Sequence, residues 1–375
     1  VSAGLLQSET GLAPAAPEAA ERIVARGFWR ETWRRFSQRR LGMIALAYVV
    51  CMALVATFSP TIAGTKPIVC KYKGRIYFPA MYYFHRGWEN AIFRKDRFRT
   101  HYYESLKEKD TESWAIWPLI YQDPYRPVRK DEFPGQPANP TRDEGRPNRF
   151  NWFGTNRAGV DVFAQMVHGT RTALLVGFVS MGIAATIGII VGAMAGYFGG
   201  WIDMALSRLI ELVMSIPSLV LILALIAVLS KPTIWHLMAV LGVTNWTSIA
   251  RLTRAEFIRL RESDFVTAAR AMGAGQTRIM YRHIFRNALA PVLVPITFGI
   301  ASAILTESAL SFLGFGAPPP NPSWGTLLND GRSNMQMWWL IVFPGAAIFL
   351  TVLAYNLIGE SLQEATDPRL RQAAH

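Results

Sequence analysis

The chain has 375 residues and only two cysteines. Cys51 lies inside an apolar run and Cys70 just beyond it, on opposite sides of an expected membrane boundary, so no internal disulfide is expected. No Cys/His cluster has zinc-ligand spacing. The dipeptide Gly-Lys never occurs, which removes the G-x-x-x-x-G-K-[S/T] phosphate loop. H-E-x-x-H and G-x-S-x-G are missing as well. The sequence therefore offers no catalytic residue, no metal site and no cofactor site of its own, and it cannot bind and hydrolyse ATP in the usual way. Acidic charge is also scarce, with 26 Asp and Glu against 39 Lys and Arg and a formal net charge of +13. In a soluble protein that balance would point to nucleic acid. Here the rest of the chain asks for lipid, and nucleic acid is set aside as a partner.

Half of the residues are hydrophobic, and they gather into long runs nearly free of charge. The runs are Leu41–Ile62, Leu174–Phe198, Leu209–Leu229, Ile234–Ala250, Ala288–Leu305 (extending to about Phe315) and Met337–Ile358. A span needs roughly 20 apolar residues to cross hydrocarbon about 30 Å thick. The fourth run is the weakest, diluted by His236, Thr244, Asn245 and Ser248. The first is too long for a signal-peptide core and reads as an uncleaved anchor.

The expected fold is therefore an all-α integral membrane protein with six transmembrane helices and a mixed insertion after the first. Basic residues set the orientation. Arg22, Arg26, Arg30, Arg34, Arg35, Arg39 and Arg40 precede the first span. Arg251, Arg254, Arg259, Arg261, Arg270, Arg278, Arg282 and Arg286 lie between the fourth and fifth, and Arg369 and Arg371 follow the sixth. Six spans put all three segments on one side, the cytoplasm. The expected organisation is a cytoplasmic tail (1–40), a first span (41–62), a periplasmic insertion (63–167), a five-span core (168–366) with a cytoplasmic hairpin at 251–287, and a cytoplasmic tail (367–375). The insertion is also basic, but loops longer than about 60 residues translocate largely regardless of charge. Its aromatics, among them Tyr72, Phe78, Tyr83 and Trp114, predict an ordered unit. The Pro-rich stretch from Asp123 to Pro147 predicts a looser arm.

Gly188, Gly192 and Gly196 recur every four residues, a pattern that lets two helices approach backbone to backbone. Pro217, Pro291, Pro295 and Pro344 inside spans predict kinks. Arg208 and Glu211 are spaced for a local ion pair. Glu307 in the fifth span is costly in lipid and reads either as a functional group or as a partner of Ser308, Ser311 or a neighbouring helix. Between spans four and five, Ser263 or Asp264 can cap a helix on which Phe265, Ala268, Ala269 and Met272 share a face. Gly273–Gly275 can supply a left-handed stop, and a second short helix follows from about Gln276. Ala268 and Ala269 carry no bulk, so such a helix can sit close in a groove of another protein.

The string Ala268-Ala269-x-x-x-Gly273, followed by Ile279, His283 and Asn287, resembles the "EAA" coupling motif of ABC importer permeases. Thr267 stands where the family has an acidic residue, and Phe285-Arg286 where it has Leu-Pro. Further segments are similar to the dipeptide and oligopeptide permeases: Trp152 to Phe163 with Gly169 to Arg171, Met214 to Ser218, Leu310 to Gly316, Pro318 to Gly325, and Phe343-Pro344-Gly345 through Asp367 to Leu370. Asn156 and Val160 depart from the family's Asp and Arg. Lys66-Pro67 and Tyr77-Phe78-Pro79 in the insertion resemble Yej-type peptide importers.

The resemblance implies the six-helix architecture of type I importer permeases in a bacterial inner membrane, with both termini cytoplasmic. It implies coupling roles for Ala268, Ala269, Gly273, Ile279, His283 and Asn287. It also implies a second permease, two ATP-binding subunits or one fused ATPase, a periplasmic peptide-binding protein, a peptide substrate and surrounding lipid. ATP would be bound by the partner subunits. Rival readings are a nickel or other small-solute permease, an ion-driven secondary transporter, which predicts inverted repeats and paired intramembrane charges, and a membrane-anchored receptor acting through its insertion.

Overall fold

A computed structural model describes residues 28–366 apart from 231 and 317–320. Arg22, Arg26, Pro318–Pro320, Arg369, Arg371 and the tail at 367–375 lie outside the described residues. The chain opens with α1 (Phe28–Gln38), α2 (Arg40–Thr57) and the single turn α3 (Ser59–Ile62). The insertion contributes β1 (Val69–Tyr72), β2 (Arg75–Tyr77), α4 (Asp96–Thr100), α5 (Tyr102–Lys109) and β3 (Trp114–Ile116). The membrane part holds α6 (Val162–Phe198), α7 (Gly200–Ser215), α8 (Ser218–Ala227), α9 (Ile234–Arg261) and α10 (Asp264–Ala271). It continues with α11 (Gln276–Arg278), a π-helical segment (Ile279–Phe285), α12 (Arg286–Phe312), α13 (Trp324–Arg332) and α14 (Trp339–Thr366).

Among the described residues, four helices are long and apolar enough to cross a membrane: α2, α6, the unbroken rod Gln276–Phe312, and α14. A fifth is reached by counting α7 and α8 as one broken span, since they meet at 84°. The break falls at Ile216–Pro217, where Ile216 is extended and proline cannot continue the α7 ladder. The fourth expected span, Ile234–Ala250 in α9, is not among them. Its apolar half is diluted by Thr244 and Asn245, whose side chains donate to the carbonyls of Val240 and Leu241 at 3.0 and 2.8 Å, and its other half is rich in arginine. The second expected short helix of the hairpin is also corrected. From Gln276 the chain runs through the π-helical segment into the long rod, with Pro291 and Pro295 inside it.

The insertion bears out the expectation of an ordered unit followed by a looser arm. Its sheet has the order β2-β1-β3 and is antiparallel throughout. The β1–β2 turn is two residues long, with Lys73 at φ 48° and Gly74 at φ 75°, the paired left-handed geometry whose twist suits a hairpin. Behind the sheet, Phe93 packs against Phe98, Tyr102 and Tyr72 with ring centroids 5.3, 5.6 and 6.0 Å apart. From Trp117 to Asp161 the regular structure is one short turn at Arg142–Glu144 and two isolated bridges, Ala63–Ile120 and Thr155–Asp161.

The glycine stripe brings α6 and α9 together backbone to backbone. A Cβ at Gly188, Gly192 or Gly196 of α6 would lie 2.7, 2.4 or 2.6 Å from the backbone carbonyl oxygens of Trp246, Ala250 and Arg254 on α9. Gly242 of α9 answers from the other side, where a Cβ would lie 2.9 Å from the Ser180 carbonyl oxygen. Farther along, α7 is tied to the inner half of α9 by Asp203, which accepts from Arg254 Nη2 at 2.7 Å. The α8 residues Ile222 and Ile226 pack with Leu237, Met238 and Leu241 on the outer half of α9. Arg208 and Glu211 form the expected surface ion pair at 2.7 Å.

Two measurements test this packing. Gly192→Ala should lower the melting temperature of the detergent-solubilised protein, because backbone must move, at a cost of about 1–3 kcal/mol. Gly182→Ala on the same helix meets nothing within 4 Å and should leave it unchanged. The second test is pH. Asp161 caps α6 by accepting from the Ala164 amide at 2.7 Å, and Asn151 Nδ2 donates to it at 2.7 Å. Burial pushes its carboxyl up to about 6. The folded chain then holds this proton more tightly than the unfolded chain, so stability should fall as pH rises from about 4 to about 6 and level off above. Melting curves across that range should show the slope, and Asp161→Asn should flatten it.

Candidate functional site

The hairpin at 262–287 is built on the C-terminal ends of α6 and α9. Ser263 occupies the N-cap position of α10, but its hydroxyl donates backwards to the Leu260 carbonyl and satisfies the end of α9 instead. Helix α10 stops in a Schellman motif: the Ala274 amide reaches the Ala269 carbonyl at 3.0 Å and the Gly273 amide that of Arg270 at 2.9 Å. This ending needs a left-handed residue, and Gly273 has φ 79° with open space around it. Beneath the hairpin, Val266, Ala269, Ile279 and Ile284 close a core with Tyr197, Phe257, Leu260 and Ala288.

The six residues singled out by the coupling motif differ in burial. Ala269 and Ile279 are buried in that core, His283 is half-buried, and Ala268, Gly273 and Asn287 are exposed. The face expected from the apolar pattern is thereby rotated. Val266, not Phe265, is the inward partner of Ala269, while Phe265 and Met272 are 41% and 82% exposed. The outward face of α10 is Asp264, Thr267, Ala268 and Ala271, all small or short, with Arg270 and Met272 at its edges. Asn287 Nδ2 donates to the His283 carbonyl at 2.7 Å and supports the π-helical segment, where the backbone ladder is irregular.

Two contributors escaped the sequence reading. Tyr197 Oη donates to the Gln276 carbonyl at 3.1 Å, and Arg261 Nη1 donates to the Tyr197 carbonyl at 3.1 Å. They clamp the end of α6 to both strands of the hairpin. The available signal was position: a tyrosine directly after Gly196, at the inner end of the glycine stripe, with an arginine closing α9.

Glu307 lies away from the hairpin, fully buried in α12. It accepts from Ser311 Oγ at 2.7 Å and from Ser308 Oγ at 3.4 Å, and Ser323 Oγ donates to Ser311 Oγ at 3.4 Å. No ion pair reaches it among the described residues. The start of α13 seats on this cluster, where a Cβ at Gly325 would lie 2.5 Å from the Ser308 carbonyl oxygen. Trp324 Nε1 donates to the Met166 carbonyl at 3.1 Å, fastening the same loop to α6.

Residues 188–372, which contain α9, the hairpin and the Glu307 cluster, match the family described as the binding-protein-dependent transport system inner membrane component. Residues 27–74 match the N-terminal TM domain of oligopeptide transport permease C. The inner membrane ABC transporter permease protein YejE of Escherichia coli is 33% identical over 341 residues, covering 90% of this chain and 96% of its own length. The chain belongs to this family of peptide ABC importer permeases. The peptidoglycan transport system permease protein YejE of Agrobacterium fabrum is 32% identical over 361 residues, covering 91% of this chain and 93% of its own. The dipeptide transport system permease protein DppC of Alkalihalophilus pseudofirmus is 40% identical over 235 residues, covering 62% and 77%. This permease is a multi-pass inner-membrane component of a binding-protein-dependent peptide importer and is not itself the ATPase. The alignments to the two YejE proteins are long enough to take in the insertion as well as the spans.

Proposed function

We propose that α10 is the element through which this permease is driven by separate ATP-binding subunits. The observation that carries the reading is the division of the helix. Val266 and Ala269 fix it to its own core, while Thr267, Ala268 and Ala271 present a face without bulk. A small-residue face admits close approach into a groove, and the arginines beside it can pair with acidic groups at the rim. In this reading Ala268 makes the contact, Ala269 and Ile279 hold the helix in place, Gly273 sets its stop, and His283 and Asn287 stiffen the passage into the rod. Glu307 ties the external loop to α12 and takes no part in substrate binding.

The topology that accompanies this is six crossings, with the bent pair α7–α8 as the third and α9 as the fourth. It is supported by contacts of α7 at one end of α9 and of α8 at the other. Both termini are then cytoplasmic. A second homologous permease completes the path, and ATP binds to two cassette subunits or to one fused ATPase. A periplasmic binding protein delivers a peptide in the range that the relatives' names suggest, from dipeptides to peptidoglycan-derived peptides.

Two Gly273 variants test the coupling role. Gly273→Val places a β-branched residue at positive φ, at a local cost of roughly 1–2 kcal/mol, and should uncouple ATP hydrolysis from uptake. Gly273→Asn tolerates that backbone and should retain most transport. Equal uptake by wild type and Gly273→Val at equal expression would remove the assignment. Mild-detergent purification from native membranes, with mass spectrometry of what co-purifies, is expected to recover a second permease and at least one phosphate-loop ATPase. Recovery of the chain alone after crosslinking would count against the assembly.

A further inference from the structure

Two cavities lie on the external side, one in the insertion of about 480 Å³ and one below it of about 500 Å³. Tyr82, Arg86 and Tyr125 line both, so they are compartments separated by a shared wall. The lower one is bounded by Arg171, Thr233, Trp235 and Asn321, at the outer ends of α6 and α9 and just before α13.

The floor of the upper cavity is internally satisfied. Lys66 forms a buried ion pair with Glu89, and Tyr102 Oη donates to Glu89 at 3.2 Å. Asp123 accepts from Thr65 Oγ1 at 2.7 Å and from Tyr83 Oη at 2.8 Å. Arg126 holds Glu132 through two bonds of 2.7 and 2.8 Å. The rim differs. It carries Arg86, Arg99 and Arg129 against the single acid Asp96, which lies 3.8 Å from Arg99. Among the described residues neither Arg86 nor Arg129 has an ion-pair partner, and Arg86 sits 5.9 Å over the Tyr125 ring. A rim with a surplus of guanidinium over a floor of already paired charges attracts anions without offering them a competing internal carboxylate. Guanidinium binds a carboxylate through two parallel hydrogen bonds, and tyrosine walls give contact area indifferent to side-chain identity.

We propose that the insertion carries a receiving site for the carboxylate of an incoming peptide, held by Arg86 and Arg129 at the rim and passed along the Tyr82–Arg86–Tyr125 wall to the outer mouth of the spans. The proposal rests on the peptide-import reading above. It makes the insertion a substrate-handling vestibule that favours ligands with a free carboxyl group.

The test uses the purified permease–ATPase assembly without its binding protein, with labelled tri-alanine and tri-alanine amide as probes. Wild type is expected to bind the free acid about tenfold more tightly than the amide, from the loss of one charge-assisted contact. The double variant Arg86→Gln/Arg129→Gln should bind both alike. Both side chains are exposed, so its melting temperature should stay that of wild type. No preference in wild type, no binding of either probe, or a preference that survives in the double variant would overturn the site. Tri-alanine uptake by cells carrying the intact wild-type transporter separates the two readings. Uptake without an acid preference in binding removes the vestibule site and leaves import standing. No uptake removes tri-alanine as a cargo of the transporter and this inference with it.

Discussion

The direct backbone contact between α6 and α9 is the constraint on which the rest depends. Without side chains at Gly188, Gly192 and Gly196, the two helices touch along carbonyl oxygens, and the van der Waals attraction of that seam replaces the hydrophobic drive that lipid cannot supply. The seam fixes the inner ends of both helices together. Tyr197 and Arg261 then clamp the hairpin to those ends, and the hairpin core of Val266, Ala269, Ile279 and Ile284 grows from the same place. At the other end of α9, Thr233 and Trp235 line a cavity together with Tyr82, Arg86 and Tyr125 of the insertion.

Much of this was legible in the sequence because membrane helices announce themselves by composition. The glycine spacing named the α6 packing face, Pro217 named the break, and Gly273 named the left-handed stop. What escaped has physical reasons. Periodicity reports which side of a helix is apolar, not which side is inward. On α10, Phe265 and Met272 are apolar and exposed, while the inward side is made by Val266 and Ala269. The fourth span was the weakest reading, because a helix buried among others can carry Thr244, Asn245 and several arginines when their donors are satisfied locally. The long rod was read as two elements because the Gly275 boundary is real, while nothing in the residues 276–290 signals that a π-helical segment joins helix to helix.

The insertion obeys different rules from the spans beside it. Its core is aromatic, and it contains two charge pairs shielded from solvent: Lys66 with Glu89 and Arg126 with Glu132. Burial pulls the Lys66 amine down from its usual value, and the adjoining Glu89 carboxylate opposes that shift. Such pairs add little net stability but define one arrangement, since breaking either partner strands the other.

The rod Gln276–Phe312 links the inner hairpin to the Glu307 cluster under the external loop without a break. At 1.5 Å per residue such a helix is roughly 55 Å long. A beam of that length, held at one end by the hairpin core and near the other by the Glu307–Ser311–Ser323 contacts, acts as a lever when it pivots near its middle. A tilt of only a few degrees carries its two tips in opposite directions by an ångström or more each. A shift of the hairpin at one tip is thereby felt at the Glu307 cluster near the other, so one continuous helix ties the positions of two distant parts of the protein together.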